Sequence, residues 1–303
     1  MFALFVEYPS WIDPYVIDGL PIRWYAVMYL VAFFVAYLLF RYQCRHDGVI
    51  EMNASESQDF FFIAILFLLV FARLFSVLFY SDPVYYLTHP WMIFWPFRDG
   101  RFVGLPGMSY HGGVVGCLLG GYIYARRYKR SLLQLTDIVT AGIPLGYTFG
   151  RLGNFINAEL YGRVTTKPWG MIFPGASPFP ADEAWVQEIA RKVGLEAASG
   201  SLINLPRHPS QLYEALFEGI VLFLILFFII RPIKKKKGMP HGFVFSFYLI
   251  GYGVFRFFIE YCRQPDSNIG YVINGGGGGN IALFESFLNI SEGQIFCLLM
   301  IAA

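Results

Sequence analysis

The sequence predicts an all-α polytopic membrane protein of about seven transmembrane helices, N-terminus outside, with a small extracytoplasmic (periplasmic) head in the loop between helices 4 and 5. Three observations carry this. Hydrophobic residues make up 56% of the 303 and charged ones 15%, whereas soluble globular chains are about 25% charged. Apolar stretches recur at close to the ~20 residues that cross a hydrocarbon core. The basic residues gather in alternate connections between those stretches, as the positive-inside bias requires.

In order, the spans cover residues 24–40, 60–80, 107–125, 132–149, 213–230 and 242–259, with a weaker one ending at Ala303. The last reaches span length only if its helix starts near Ile281 and runs through Ser291, Glu292 and Gly293. Pro144 is expected to kink the fourth span. The first connection holds Arg41 and Arg45, the third Arg126, Arg127, Lys129 and Arg130, and the fifth Arg231 with four lysines at 234–237. These loops are therefore expected on the cytoplasmic side, which puts Arg151 on the outer side.

Ahead of the first span, Phe2, Phe5 and Trp11 suggest an interfacial arm, and no cleavable signal peptide is expected there. The outer loop at 81–106 mixes Trp91 and Trp95 with prolines, which suits an interfacial collar. Residues 163–207 supply the head, set within a single integral-membrane domain, 1–303. Inside the head, 181–197 predicts a short amphipathic helix with Trp185, Ile189 and Val193 spaced by four. The glycine run at 275–279 predicts a flexible tether. The four cysteines (Cys44, Cys117, Cys262 and Cys297) are scattered without metal or redox spacing, so neither a metal nor an enzyme thiol is implied. Cofactors are none, and nothing points to nucleic acid.

Chemistry concentrates in residues 150–162, GRLGNFINAELYG. A guanidinium beside the hydrocarbon is costly and seldom left unpaired. Arg151 offers a planar fork of donors that fits a phosphate. Asn154 and Asn157 add neutral donors and acceptors. Gly150 and Gly153 permit a close backbone approach, and Glu159 can orient the arginine or manage a proton. The plainer account is a loop with an asparagine cap and an arginine snorkelling to the head groups. Tyr252, Arg256 and Glu260 recur every fourth residue, forming one helix stripe. Arg256 and Glu260 suit an intrahelical ion pair, yet at that depth they also suit a second arginine facing Arg151.

Three further motifs have ordinary explanations beside functional ones. Trp24-Tyr25 opens the first span as an aromatic anchor does. Tyr110-His111-Gly112-Gly113 opens the third. There the G-x-x-x-G spacings 112–116 and 116–120 allow close helix contact, and would also bring His111 near Arg151. HPSQLYE at 208–214 has helix-start chemistry at Pro209 and Ser210. Gly142 and Gly146 are best explained by helix packing.

Together these strings resemble the prolipoprotein diacylglyceryl transferases, bacterial membrane enzymes that begin lipoprotein maturation. Arg151, Gly153, Asn154, Asn157, Glu159 and Gly162 stand in register with the family signature. The Arg23-Trp24-Tyr25 opening, HGG, HPSQLYE and FRFFIEYCRQPD match its other motifs, in order, from Pro9 to Ile295. The chain departs from the pattern at the glycine run and the short C-terminus.

The resemblance implies an activity. The diacylglyceryl group of phosphatidylglycerol joins the thiol of the lipobox cysteine in a preprolipoprotein signal peptide, releasing glycerol phosphate. It implies that Tyr25 faces the head-group site and that Arg151 and Arg256 offset phosphate charge. Tyr25, Asn154, Asn157, Glu159, Gly162, Tyr252 and Glu260 are the substrate-binding expectations. His111 is the first choice for the proton acceptor, with Glu159 and Glu260 as alternatives. Membrane lipids are the other expected partners, and the location is the bacterial inner membrane with the site toward the outer leaflet. A different lipid-head-group transferase would need a CDP-alcohol or G-x-S-x-G motif, and neither stands out. A transporter binding an anionic solute through Arg151 and Arg256 would show related halves, and no internal repeat stands out.

Overall fold

The structure is a computed structural model that describes residues 5–17, 22–48, 50–98, 100–102, 104, 107–265 and 270–303. The arm expected at the N-terminus lies outside these up to residue 4, and so does Asp266, the last residue of the FRFFIEYCRQPD match. The described chain is mostly helical and divides into two compact units, Met1–Leu38 with Val139–Ala303, and Leu39–Ile138.

Helix α1 covers Trp24–His46. In the unit of Leu39–Ile138, α2 (Ala54–Tyr80) begins at Asn53, whose side chain accepts from Glu56 N at 2.8 Å. Arg41 closes that start. Its Nη1 donates to Met52 O, Asn53 O and Ser57 Oγ, each at 3.0 Å, so a buried cation serves the backbone acceptors of a helix end. A short α3 (Pro83–Thr88) follows, capped by Asp82. Next comes α4 (Tyr110–Arg127), capped by Ser109.

The overlapping G-x-x-x-G spacings do what close packing requires, and the partner is α2. A Cβ at Gly112 or Gly116 would overlap the carbonyl oxygens of Phe71 and Phe67, and one at Gly120 would come within 3.0 Å of Ile63 O. Arg73, one of the isolated charges in α2, is buried and donates to Ile93 O at 2.6 Å.

The fourth predicted span is two helices, α5 (Leu132–Thr140) and α6 (Ile143–Ile156). Pro144 has no N–H to give Thr140, so a continuous ladder is impossible there. In the first turn of a new helix the missing donor costs nothing. Gly142 is the cap of α6, and Gly146 lets α6 approach Ala32 of α1, where an added Cβ would lie 2.9 Å from the carbonyl oxygen. Because α6 runs to Ile156, Arg151 and Asn154 stand on its last turns instead of in a loop.

The segment 163–207 carries α7 (Ala184–Val193), ended by Gly194 at φ 80°, within the predicted 181–197. Its buried stripe is Val186, Ala190 and Val193, with Trp185 and Ile189 only partly buried beside it. The inward face is thus turned by one residue from the predicted one at its first two positions. Two-residue strands bind the head together: Phe179–Pro180 against Leu202–Ile203, and Val6–Glu7 in parallel with Met171–Ile172.

Helix α8 (Ser210–Lys237) widens to i→i+5 hydrogen bonding over Ala215–Val221 and Leu226–Ile230. Then come α9 (Phe243–Ile259) and α10 (Glu292–Ala302). Among the described residues three helices are long and apolar enough to cross a membrane: Trp24–His46, Ala54–Tyr80 and Ser210–Lys237.

The glycine run is built, not a tether. Asn289 Oδ1 accepts from Gly275 N and Gly276 N at 3.0 Å each, and Glu285 accepts from Gly279 N at 2.8 Å. Gly277 and Gly279 have φ of 88° and 78°, the left-handed region that side chains avoid.

Candidate active site

Arg151 projects from α6 and Arg256 from α9, and both reach one carboxylate of α8. Glu214 Oε2 lies 2.8 Å from Arg151 Nε and 3.4 Å from Arg256 Nη1. Its other oxygen lies 2.7 Å from Arg263 Nη1. Glu214 is fully buried, and three guanidiniums compensate the cost of removing its charge from water. Glu260, one turn beyond Arg256, takes Arg256 Nη2 at 2.9 Å and stands 3.5 Å from Arg263 Nε. The intrahelical pair anticipated for Arg256 and Glu260 is therefore present, as one edge of a larger cluster. Ser291 Oγ donates to Glu260 at 3.1 Å, and Gly293 stands so close that an added Cβ would be 3.0 Å from the carboxylate.

Tyr147, one turn before Arg151, completes the arrangement. Its hydroxyl accepts from Arg151 Nε at 2.7 Å and donates to Glu218 at 2.6 Å. The guanidinium carbon of Arg151 also lies 4.7 Å from the centre of the Tyr147 ring. Tyr252 meets Tyr147 edge to face at 6.0 Å. Gly219 makes the approach of α8 to α6 possible, because an added Cβ there would overlap Thr148. Arg151 is thus held through Nε, while its Nη1 makes a 3.4 Å contact with Asn154 Oδ1.

Glu159 does not pair with Arg151. It accepts from Asn154 at 2.9 Å and Asn157 at 3.5 Å, one side chain removed from the guanidinium. The chain doubles back sharply to place it: Ala158 and Leu160 both take positive φ, 52° and 56°, conformations that are strained for residues with a Cβ. Gln211 and Ser210, at the start of α8, hold the turn by donating to Glu159 O at 2.6 Å and Leu160 O at 3.1 Å. The HPSQLYE run therefore fixes the signature loop and supplies Glu214.

The remaining expected residues divide. Tyr25 lies against Gly153 of α6, where an added Cβ would be 3.4 Å from Tyr25 Cα, and its hydroxyl donates to Tyr29 at 3.0 Å. Gly153 serves helix contact, whereas Gly150 has open space beside it. Gly162 is a crossing point: its N–H donates to His208 O at 2.8 Å and a Cβ would overlap Cys262 O. His111 belongs to the unit of Leu39–Ile138, in the first turn of α4, with Nδ1 3.4 Å from Tyr80 OH.

Tyr147, Glu218 and Arg263 did not stand out in the sequence, and Glu214 stood out only as the end of a motif. The signal was available: two carboxylates four apart, Glu214 and Glu218, in a run otherwise apolar from Ala215 to Ile230. Buried carboxylates on one helix face demand cations from neighbouring helices.

Outside the spanning segments, His208 abuts the signature loop. Burial, with Lys167 and Arg163 nearby, pushes its pKa down to about 4. Trp169 Nε1 donates to Tyr213 OH at 2.8 Å, and that oxygen lies 3.1 Å from His208 Nδ1. Indole is only a donor, so the tyrosine proton is free to go to Nδ1, which suits a neutral imidazole.

A helical membrane protein that gathers three arginines and three carboxylates from α6, α8, and α9 with the turn after it, beside a strained asparagine-rich turn, is the class defined here. The chain belongs to the prolipoprotein diacylglyceryl transferase family, whose pattern it matches over residues 14–303. It is 50% identical to the phosphatidylglycerol–prolipoprotein diacylglyceryl transferase of Treponema pallidum (strain Nichols), covering 99% of this chain and 93% of that protein. The protein so named from Treponema denticola is 51% identical over 99% of this chain and 92% of its own length. That from Borrelia garinii subsp. bavariensis is 41% identical over 98% and 90%.

Proposed function

We propose that the chain transfers the diacylglyceryl group of phosphatidylglycerol to the lipobox cysteine thiol of preprolipoproteins. A C–S bond forms at the glycerol carbon as its C–O bond to phosphate breaks. The electron pair leaves with glycerol phosphate, and the thiol proton goes to a base. Family membership supports this reading, and one geometric observation carries it furthest: Arg151 and Arg256, from separate helices, meet at Glu214. A phosphate arriving there competes with Glu214 for guanidinium donors that are already oriented, and charge developing on the leaving oxygen is offset without reorganisation.

In this reading Tyr25, Asn154, Asn157, Glu159, Gly162, Tyr252 and Glu260 line or brace the head-group site. His111 is the base to test first, with Glu159 and Glu260 as the other candidates. The attacking sulfur belongs to the substrate, so no cysteine of this chain is required. The chain forms a single integral-membrane domain of about seven spans in the bacterial inner membrane. Its N-terminus and its head (163–207) are outside, and the site opens to the outer leaflet. The basic loops support that orientation.

Incubating the purified protein in vesicles with phosphatidylglycerol and a lipobox peptide tests the proposal. Mass spectrometry of the peptide is expected to show the diacylglyceryl increment on its cysteine, with one glycerol phosphate released per modified peptide. An unmodified peptide with intact, folded protein would overturn the reading.

A further inference from the structure

The segment between α9 and α10 is the part of the chain that the family signature leaves unexplained. Residues 270–291 (GYVINGGGGGNIALFESFLNIS) contain one formal charge, Glu285. A surface loop that faced water would carry more. This one exposes large apolar side chains: Phe284, Phe287 and Leu288 at 44%, 68% and 65%, with Val272 and Ile273 beside them. Patches of that kind on an ordered segment mark an interaction site.

The segment's internal bonding engages two of its polar side chains, Glu285 and Asn289, with the glycine backbone. The Gly279 N–H holds Glu285, and Asn289 is buried while it accepts from Gly275 and Gly276. The glycines are needed because Cβ atoms at Gly275 and Gly277 would come within 2.6 Å of Leu288 Cβ and Glu285 Oε2. The run thus lets the backbone close around these two side chains while the aromatic ones stay outside.

The apolar patch continues the surface of the spanning helices. Tyr261, just past α9, packs its ring 5.1 Å from Phe287 and 6.0 Å from Phe284, and donates its hydroxyl to Phe287 O at 3.0 Å. Beyond it Phe258 of α9 is 63% exposed, as apolar side chains on a lipid-facing helix are.

We propose that residues 270–291 form a membrane wedge, with Phe284, Phe287 and Leu288 seated at the boundary between head groups and acyl chains. The occupant is phospholipid, because the patch carries no charge to select a peptide and is continuous with the apolar surface of α9. The proposal rests on the membrane character of the chain and not on the transfer reaction, so the two stand or fall separately.

The test places p-benzoylphenylalanine at position 287 of the full chain in vesicles of phosphatidylglycerol and phosphatidylcholine, followed by irradiation and intact-mass analysis. The reference position is 188 in the head, where Glu188 and Lys192 form an exposed pair at 2.6 Å. Adducts of phospholipid mass are expected at 287 in about tenfold excess over 188, since an anchored apolar side chain spends its time among acyl chains. Equal yields at the two positions would overturn the wedge. So would adducts that move from lipid to an added lipobox peptide, which would make the patch a peptide groove.

Discussion

Glu214 organises three cations because it is the carboxylate that Arg151, Arg256 and Arg263 all reach, and its burial leaves it no water to lean on. The geometry of each guanidinium matters more than its charge. Arg151 uses Nε on Tyr147 and Glu214, while Arg256 divides its two terminal nitrogens between Glu214 and Glu260. Lysine reproduces neither fork. Arg151→Lys and Arg256→Lys are each expected to lower the transfer rate by about 10²-fold or more, the scale of losing an oriented donor to developing charge. Peptide mass spectrometry reads the rate, and near-normal rates in both variants would remove the phosphate-clamp role. The arginines were legible in the sequence because a charge in an apolar run is conspicuous. The carboxylates of α8 carried the same signal, but which cations they would meet was not legible, because nothing local ties Glu214 on α8 to residues on α6 and α9. Tyr147 was hidden for a different reason: a tyrosine in an apolar span is ordinary until its hydroxyl is seen between Arg151 and Glu218.

At the scale of elements, the contact of α2 with α4 depends on the absence of side chains along one line. Gly116 has no room for a Cβ beside Phe67, whereas the nearest atom to one at Gly121 is Leu132 Cδ1 at 3.7 Å. Gly116→Ala is expected to destabilise the protein by about 1–3 kcal/mol, the usual cost of overpacking. Gly121→Ala should be neutral or slightly stabilising, since alanine is the better helix former. Thermal unfolding in detergent compares the two, and equal midpoints would mean that the helices do not approach this closely. The glycine spacing was legible in advance; that the partner would be α2 was not, since the spacing names a face and not its neighbour. The break at Gly142–Pro144 shows the complementary limit. Hydropathy is continuous across it, and only the missing proline donor separates α5 from α6. Around α7, the two-residue strands left no periodicity to read, and the inward stripe of that helix was displaced because Val186 fits the core with Val164 and Leu205 where Trp185 does not.

For the whole molecule, acid is the condition that probes the packing of His208 against the signature loop and the start of α8. The unfolded chain protonates His208 near pH 6.5, while the folded one resists until about pH 4. Between those values the unfolded state binds the extra proton, so stability falls as pH falls, by up to about 1.4 kcal/mol per pH unit. Above pH 6.5 and below pH 4 this residue contributes no slope. Midpoints measured from pH 7 to pH 4.5 are expected to decline less in His208→Gln than in the parent; parallel declines would mean that the imidazole is already charged in the folded protein. The terminal helix, which starts at Glu292 and not near Ile281, gains a meaning at this scale too. Ser291 both caps α10, accepting from Gln294 N at 3.3 Å, and grips Glu260. One hydroxyl therefore serves as the bolt between the terminal rod and the cation cage: prise that rod away and Glu260 loses its tether, Arg256 its aim, and the cage a wall.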